Sequence, residues 1–329
     1  MPQPAERLDA TPEIRRNELL IDVDHLHLDS SSMRQLAGEV SGDPQAVARR
    51  IAEIVADRGK MQNPVTGSGG IAVGRVLESG PEHPARGLAP GTPISSGISL
   101  SLTPLVLDWV HAVDIDTAQV RASGKAVLFE SSPFAVIPTD FDLPVAMAII
   151  DVAGAPSIVR RNLSPGGSIA ICGAGKAGLL CAAAARETLG EAGRIVLFDV
   201  NEGALSEAAE LGIASSVVPA DLTDPIATHG HALGASDGAL FDFVVNATNV
   251  AGTETASILA TRSRGRILFF GMATRFAVAA LSAEGAGRDV DMLIGNGFAE
   301  GSFELAFDLV RRNPGLRACL ERRIVGQKL

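Results

Sequence analysis

A chain of 329 residues, 46% hydrophobic and 20% charged, carries enough apolar material for a sizeable core and exceeds the usual length of one domain, so two domains are expected. That composition excludes a disordered or fibrous chain. A net charge of −10 excludes a nucleic-acid partner, which would require clustered Lys and Arg.

The amino-terminal stretch to Arg16 has no apolar segment of the kind that marks a secretory signal. The longest apolar run, 177–185, is far shorter than the roughly 20 residues a membrane-spanning helix needs. A soluble, cytoplasmic protein without a membrane partner is expected. Residues 43–60 read as a helix, with Asp43 as cap, Pro44 in the first turn, an apolar stripe at Val47, Ile51, Ile54 and Val55, and Gly59 as terminator. The loop that follows compresses Lys60, Asn63, Thr66 and Ser68 among glycines, where small neighbours permit close approach to a ligand. Lys60 is nominated for catalysis and the other three for substrate binding; the structural alternative is a β-turn whose polar groups satisfy the backbone. From Val65 to Pro138, short apolar segments broken by Gly and Pro suit the strands and turns of a β-rich domain.

From about Pro144 the pattern changes to strands alternating with helices. The strands are expected at Ser168 to Cys172, Arg194 to Asp199, Ser216 to Pro219, Phe241 to Asn246, Arg266 to Phe270 and Val290 to Ile294. Six near-continuous apolar strands imply a parallel sheet covered on both faces. The expected division is residues 1–140, residues 141–313, and a segment 314–329 that returns to the first domain.

Directly after the first of these strands stands Gly173-Ala174-Gly175-Lys176-Ala177-Gly178, followed by a helical stretch. In that setting Gly173 allows the tight turn, Gly175 lets a pyrophosphate approach the backbone, and Gly178 lets helix and strand pack closely, while the helix amino end attracts the anion. This is the arrangement of a Rossmann-type, doubly wound sheet. Asp199 ends the second strand about 20 residues on, where a carboxylate accepts hydrogen bonds from a ribose and repels a 2′-phosphate, so NAD is favoured over NADP. Asn246, Asn249, Gly271 and Asn296 follow strand ends and are assigned to the ligand edge of the sheet, the first three to the cofactor. The three cysteines, Cys172, Cys181 and Cys319, are too few and too scattered for a disulfide framework or zinc site and read as small buried residues.

The run from Arg58 to Gly70, RGKMQNPVTGSGG, together with ISLSLTPL, LFESS, the segment Ile150 to Pro156, FFGMAT and AEGAGRDVDMLIGNGF, resembles the L-erythro-3,5-diaminohexanoate dehydrogenase family across nearly the whole chain. The wider resemblance is to medium-chain dehydrogenases, which implies a GroES-like amino-terminal domain ahead of the Rossmann-type domain. Zinc-dependent members carry a His-Glu pair in the glycine-rich segment. Here that segment is Thr66-Gly67-Ser68-Gly69-Gly70, which implies chemistry without a metal. The pairs His25 with His27 and His229 with His231 lack companion ligands at zinc spacing and read as strand or surface residues.

The resemblance implies NAD-dependent oxidative deamination of a small amino acid substrate, and an assembly of identical subunits. Such a reaction needs a neutral amine, hence a base or proton-relaying group, and an acceptor for the distal ammonium. Glu130 and Asp151 are the carboxylates favoured as base, and Glu284 is assigned to the substrate. Two other readings stay open: a zinc-free quinone or enoyl reductase, against which Asp199 argues, and a nicotinamide-binding protein without catalysis.

Overall fold

The computed structural model describes residues 5–295 and 297–325. The chain divides into two compact units, one reaching to Asp151 and taking in residues 323–325, the other Val152–Arg322.

The first unit is built from β1 (Glu18–His27), α1 (Ser30–Glu39), α2 (Pro44–Arg58), β2 (Ile71–Ser79), β3 (Pro93–Ser96), β4 (Leu105–Asp114), β5 (Gln119–Phe129), β6 (Phe134–Val136) and α3 (Leu143–Asp151). Its six strands form an antiparallel sheet in the order β4-β5-β1-β2-β3-β6. The helix expected over 43–60 is α2. Asp43 accepts a hydrogen bond from the Gln45 N–H, Pro44 opens the first turn, and Gly59 closes the helix in the left-handed region. The face it buries is Val47, Ile51, Ile54 and Val55, packed with Leu19, Ile21, Val23, Leu26 and Leu28 of the β1 region.

That last set reveals how β1 is made. Leu19, Ile21 and Val23 point inward at odd positions, whereas Leu26 and Leu28 point inward at even ones. The register of β1 shifts between Val23 and His25 against both of its neighbours. A bulge there reverses which side of the strand faces the core. Without it, His27 and Asp29 would follow Val23 into the apolar interior. With it they turn to the other face, and Gly70 brings the glycine-rich loop against them: a Cβ on Gly70 would lie 2.0 Å from the His27 carbonyl oxygen.

The second unit contains α4 (Gly154–Asn162), β7 (Ser168–Cys172), α5 (Lys176–Leu189), β8 (Arg194–Asp199), α6 (Glu202–Glu210), β9 (Ser216–Pro219), α7 (Pro225–Ala235), β10 (Phe241–Asn246), α8 (Glu254–Ala260), β11 (Thr261–Phe269), α9 (Phe276–Gly285), β12 (Asp291–Ile294), α10 (Ser302–Arg312) and all but the last turn of α11 (Pro314–Val325). The six strands are parallel, in the order β12-β11-β10-β7-β8-β9. The fold is therefore α/β, with one antiparallel and one doubly wound parallel sheet. Successive residues of β7, β8 and β10 are buried, which requires cover on both faces because neighbouring side chains point opposite ways. Helices α4, α5 and α10 pack together, and α7, α8 and α9 form a second group. Strand β11 begins five residues earlier than expected, at Thr261, and β12 one residue later, at Asp291. No single helix among the described residues is long and apolar enough to cross a membrane.

Candidate active site

Two groups of residues are candidates for the chemistry, one in each unit. In the first, Asp29 follows the end of β1 and stands at the N-cap position of α1, yet no side chain caps that helix. Its carboxylate reaches across instead, accepting a hydrogen bond from the Gly69 N–H at 3.0 Å. Burial, and then the carboxylate of Asp151 at the end of α3, push the Asp29 carboxyl up, while Ser68, Gly69 and His27 pull it the other way. His27 Nε2 lies 3.8 Å from an Asp151 oxygen, with both side chains largely buried.

Behind Ser68 lies a group of hydroxyls. Ser32 Oγ is 2.6 Å from Ser68 Oγ and 2.8 Å from Thr66 Oγ1. Thr66 and Ser68 are 3.0 Å apart, and Ser31 Oγ stands 3.4 Å from Ser68. Asn63 holds this loop in shape and is fully buried. Its Oδ1 accepts from the Val65 and Thr66 N–H groups, and its Nδ2 donates to Gln35 Oε1 at 2.7 Å and to the Ser32 carbonyl.

Of the residues nominated from sequence in this unit, the structure brings Asn63, Thr66 and Ser68 together in one loop, while Asp151 lies 3.8 Å from His27 at the end of β1. Lys60 belongs to the same loop, but its buried amine donates to the Ala5 carbonyl. Burial and then Arg58 lower its pKa, and Glu6 acts in the opposite sense. Glu130 is exposed and accepts from Asn17 Nδ2 at 3.2 Å. Its neighbour Phe129 pairs with Glu18 at the start of β1, whereas Gln119 pairs with His27 at the other end. At about 3.3 Å per residue, roughly 30 Å or more of strand separates Glu130 from Asp29, so Glu130 and Asp151 do not act on one amine. Asp29, His27 and Ser32 were missed. The only sequence signal for them is an Asp ahead of three serines at a strand end, a pattern that reads as a helix cap.

In the second unit, strand order reverses beside β7, and the loops after β7 and β10 meet there. The Ala247 N–H donates to the Cys172 carbonyl at 2.9 Å and the Gly173 N–H to the Phe198 carbonyl at 2.7 Å. Gly173 has φ of 106°. A Cβ on Gly178 would lie 1.9 Å from the Gly173 carbonyl oxygen, so only glycine lets α5 start this close to β7. Gly175 is exposed, and a Cβ there would meet nothing within 4 Å. That open space, at a helix amino end with no side-chain cap, fits the pyrophosphate of a dinucleotide. Asp199 accepts from the Ala174 N–H at 2.7 Å and from the Asn201 N–H, tying the glycine loop to the end of β8 where a ribose would sit. Ala177 is buried in the first turn of α5, and Lys176 is half-buried.

Asn246 is buried, and its side chain is saturated. Nδ2 donates to Thr253 and Ser257 hydroxyls, and Oδ1 accepts from the Thr248 N–H and hydroxyl. Its work is to shape the turn over 248–253. Asn249 is exposed at the rim of that turn, and Gly271 packs against it, where a Cβ would lie 1.9 Å from the Thr248 carbonyl oxygen. Glu284 is exposed on α9. Asn296 lies outside the described residues, as does the end of the segment 314–329 after Val325. The three cysteines are buried, and burial pushes the Cys172 thiol up to about 12. Among the described residues, no three His, Cys, Asp or Glu side chains are grouped to hold a metal ion.

Comparison with known proteins gives a consistent picture. Residues 1–138 match the family model described as the L-erythro-3,5-diaminohexanoate dehydrogenase N-terminal domain. The L-erythro-3,5-diaminohexanoate dehydrogenase of Acetoanaerobium sticklandii is 41% identical over 98% of this chain and 94% of its own. That of Fusobacterium nucleatum is 40% identical, over 96% of this chain and 92% of its own. Among solved structures, a mycobacterial protein complexed with NADPH superposes with a TM-score of 0.60 at 16% identity, over 96% of this chain and 92% of that one. The alcohol dehydrogenase of Aeropyrum pernix gives 0.56 at 16% identity, over 98% and 93%. At such identities the structural likeness speaks for the fold alone.

Proposed function

The chain belongs to the L-erythro-3,5-diaminohexanoate dehydrogenase family, and from that membership we propose how its residues serve the family's reaction. The reaction is the oxidative deamination of L-erythro-3,5-diaminohexanoate to 5-amino-3-oxohexanoate and ammonia in lysine fermentation. NAD, when bound, takes up the hydride from carbon 3 and leaves as NADH.

The 3-amine reaches the enzyme as an ammonium, since alkyl ammonium groups titrate near 10. It has no lone pair with which to expel hydride until a proton is removed. The observation that carries our reading is the placing of two carboxylates by β1 and the glycine-rich loop: Asp29 accepts from the Gly69 N–H at 3.0 Å, and Asp151 lies 3.8 Å from His27. Two carboxylates in a mostly buried place repel each other and favour a cation between them. Asp151 takes the ammonium proton, and Ser68 and Thr66 orient the nitrogen through their oxygens. Asn63 and Lys60 fix the loop that presents them. The second unit holds the dinucleotide on Gly173, Gly175 and Gly178. The preference for NAD over NADP rests on Asp199, whose carboxylate repels a 2′-phosphate, and on its exposed neighbour Val200, which supplies no positive charge to offset it.

We read the enzyme as cytoplasmic and homo-oligomeric. Its role in amino acid fermentation supports the first, and a surface of net charge −10 supports solubility.

Incubation of purified protein with NAD and the erythro diamine should yield NADH and ammonia in equal amounts, with far less product from NADP. Reduction of a quinone or enoyl compound without diamine oxidation would contradict the assignment.

A further inference from the structure

In the second unit the adenosine half of the cofactor is assigned to the end of β8, on one side of β7, and the pyrophosphate to the loop after β7. Strand order then carries the nicotinamide half to the opposite side of β7, over the ends of β10 and β11. Small, half-buried residues stand there: Ala247 and Thr248 after β10, and Gly271 and Ala273 after β11. A flat ring can lie on residues of this size. The two segments are fastened to each other twice. At the strand ends, the Phe270 and Gly271 N–H groups donate to the Asn246 carbonyl at 2.9 and 3.2 Å. At the far end, Glu254 Oε1 accepts from the Arg275 N–H at 2.7 Å. Glu254 follows the turn after β10 as the first residue of α8, and Arg275 closes the loop after β11 as the residue before α9.

The position of Glu254 at a helix start does not account for it. An acidic side chain in a first turn gains from the helix dipole while it stays in water. This one is 1% exposed, and its partner lies 21 residues away on another helix. No side chain caps α8, and Glu254 Oε2 meets no hydrogen-bond partner among the described residues. A buried carboxylate with one oxygen unpartnered costs stability, which an apolar side chain of similar size would not. What the carboxylate provides is a fixed place for the loop after β11. We propose that Glu254 is a positioning residue for the nicotinamide half of NAD. It holds the loop after β11 against the turn after β10, so that Gly271 and Ala273 form one bed for the ring with Ala247 and Thr248. It acts through the Arg275 N–H and the loop, without touching the cofactor, and the proposal rests on the dinucleotide reading of this unit.

The test compares NADH with ADP-ribose, which carries the adenosine, the pyrophosphate and the second ribose but no nicotinamide. Both are titrated calorimetrically into wild type, Glu254→Leu and Glu254→Gln. Glu254→Leu fills the space without an acceptor and should bind NADH about tenfold or more weakly, the worth of one hydrogen bond to a charged group. Its affinity for ADP-ribose should be unchanged. Glu254→Gln keeps an acceptor for the Arg275 N–H and should follow wild type with both ligands. If Glu254→Leu does not fold, Glu254→Asp, one methylene shorter, must show the same split between NADH and ADP-ribose. Equal losses for the two ligands overturn the proposal, as does an unchanged NADH affinity in Glu254→Leu or an equal loss in Glu254→Gln. Wild-type protein that binds neither ligand overturns the dinucleotide reading and the proposal with it.

Discussion

Burial and the Asp151 carboxylate hold the Asp29 carboxyl above its ordinary value of 3.8, against the pull of Ser68, Gly69 and His27. The folded protein therefore binds this proton more tightly than the unfolded chain does. The resulting stabilisation is fully present at low pH and is lost as pH rises through the raised value. Asp29→Asn keeps an acceptor for the Gly69 N–H and removes the charge. It should raise the melting temperature at pH 7 and leave it nearly unchanged near pH 3; equal shifts at both would argue against a raised carboxyl. For activity, Asp151→Asn should lower kcat by about 10²–10⁴, the usual range for losing a positioned base. Glu130→Gln, exposed just past the end of β5, should stay near wild type. Thr66, Ser68 and Asp151 could be nominated as candidates from the sequence, the first two because they are compressed into a glycine-rich loop. Asp29 was not, since its partner Gly69 lies 40 residues away and its side chain leaves the helix it precedes.

At the level of elements, α2 and the six parallel strands could be read because caps, apolar stripes and apolar runs are local signals. The bulge of β1 could not. It exists only in the pairing with β2 and β5, and it decides whether His27 and Asp29 face the core or the loop. The glycine loop after β7 combines both kinds of information. Its spacing announces a dinucleotide, and the structure assigns different duties to its glycines. Gly178→Ala would drive a Cβ to 1.9 Å from a backbone oxygen, so unfolding by denaturant should show a loss of about 1–3 kcal/mol and NADH should bind weakly. Gly175→Ala meets open space and should weaken NADH binding with little effect on unfolding. Equal stability of the two variants would refute this division.

At the scale of the whole molecule, the same α/β architecture occurs in dehydrogenases and reductases of different names at 16% identity. Fold alone therefore does not select a reaction. What does is membership in the diaminohexanoate dehydrogenase family. The central claim is direct transfer of hydride from carbon 3 of the diamine, and isotopic label tests it most directly. Substrate carrying deuterium at carbon 3 should give NADH heavier by one mass unit, in equal amount with 5-amino-3-oxohexanoate and ammonia. Unlabelled NADH, or labelled NADH without release of ammonia, would contradict the account.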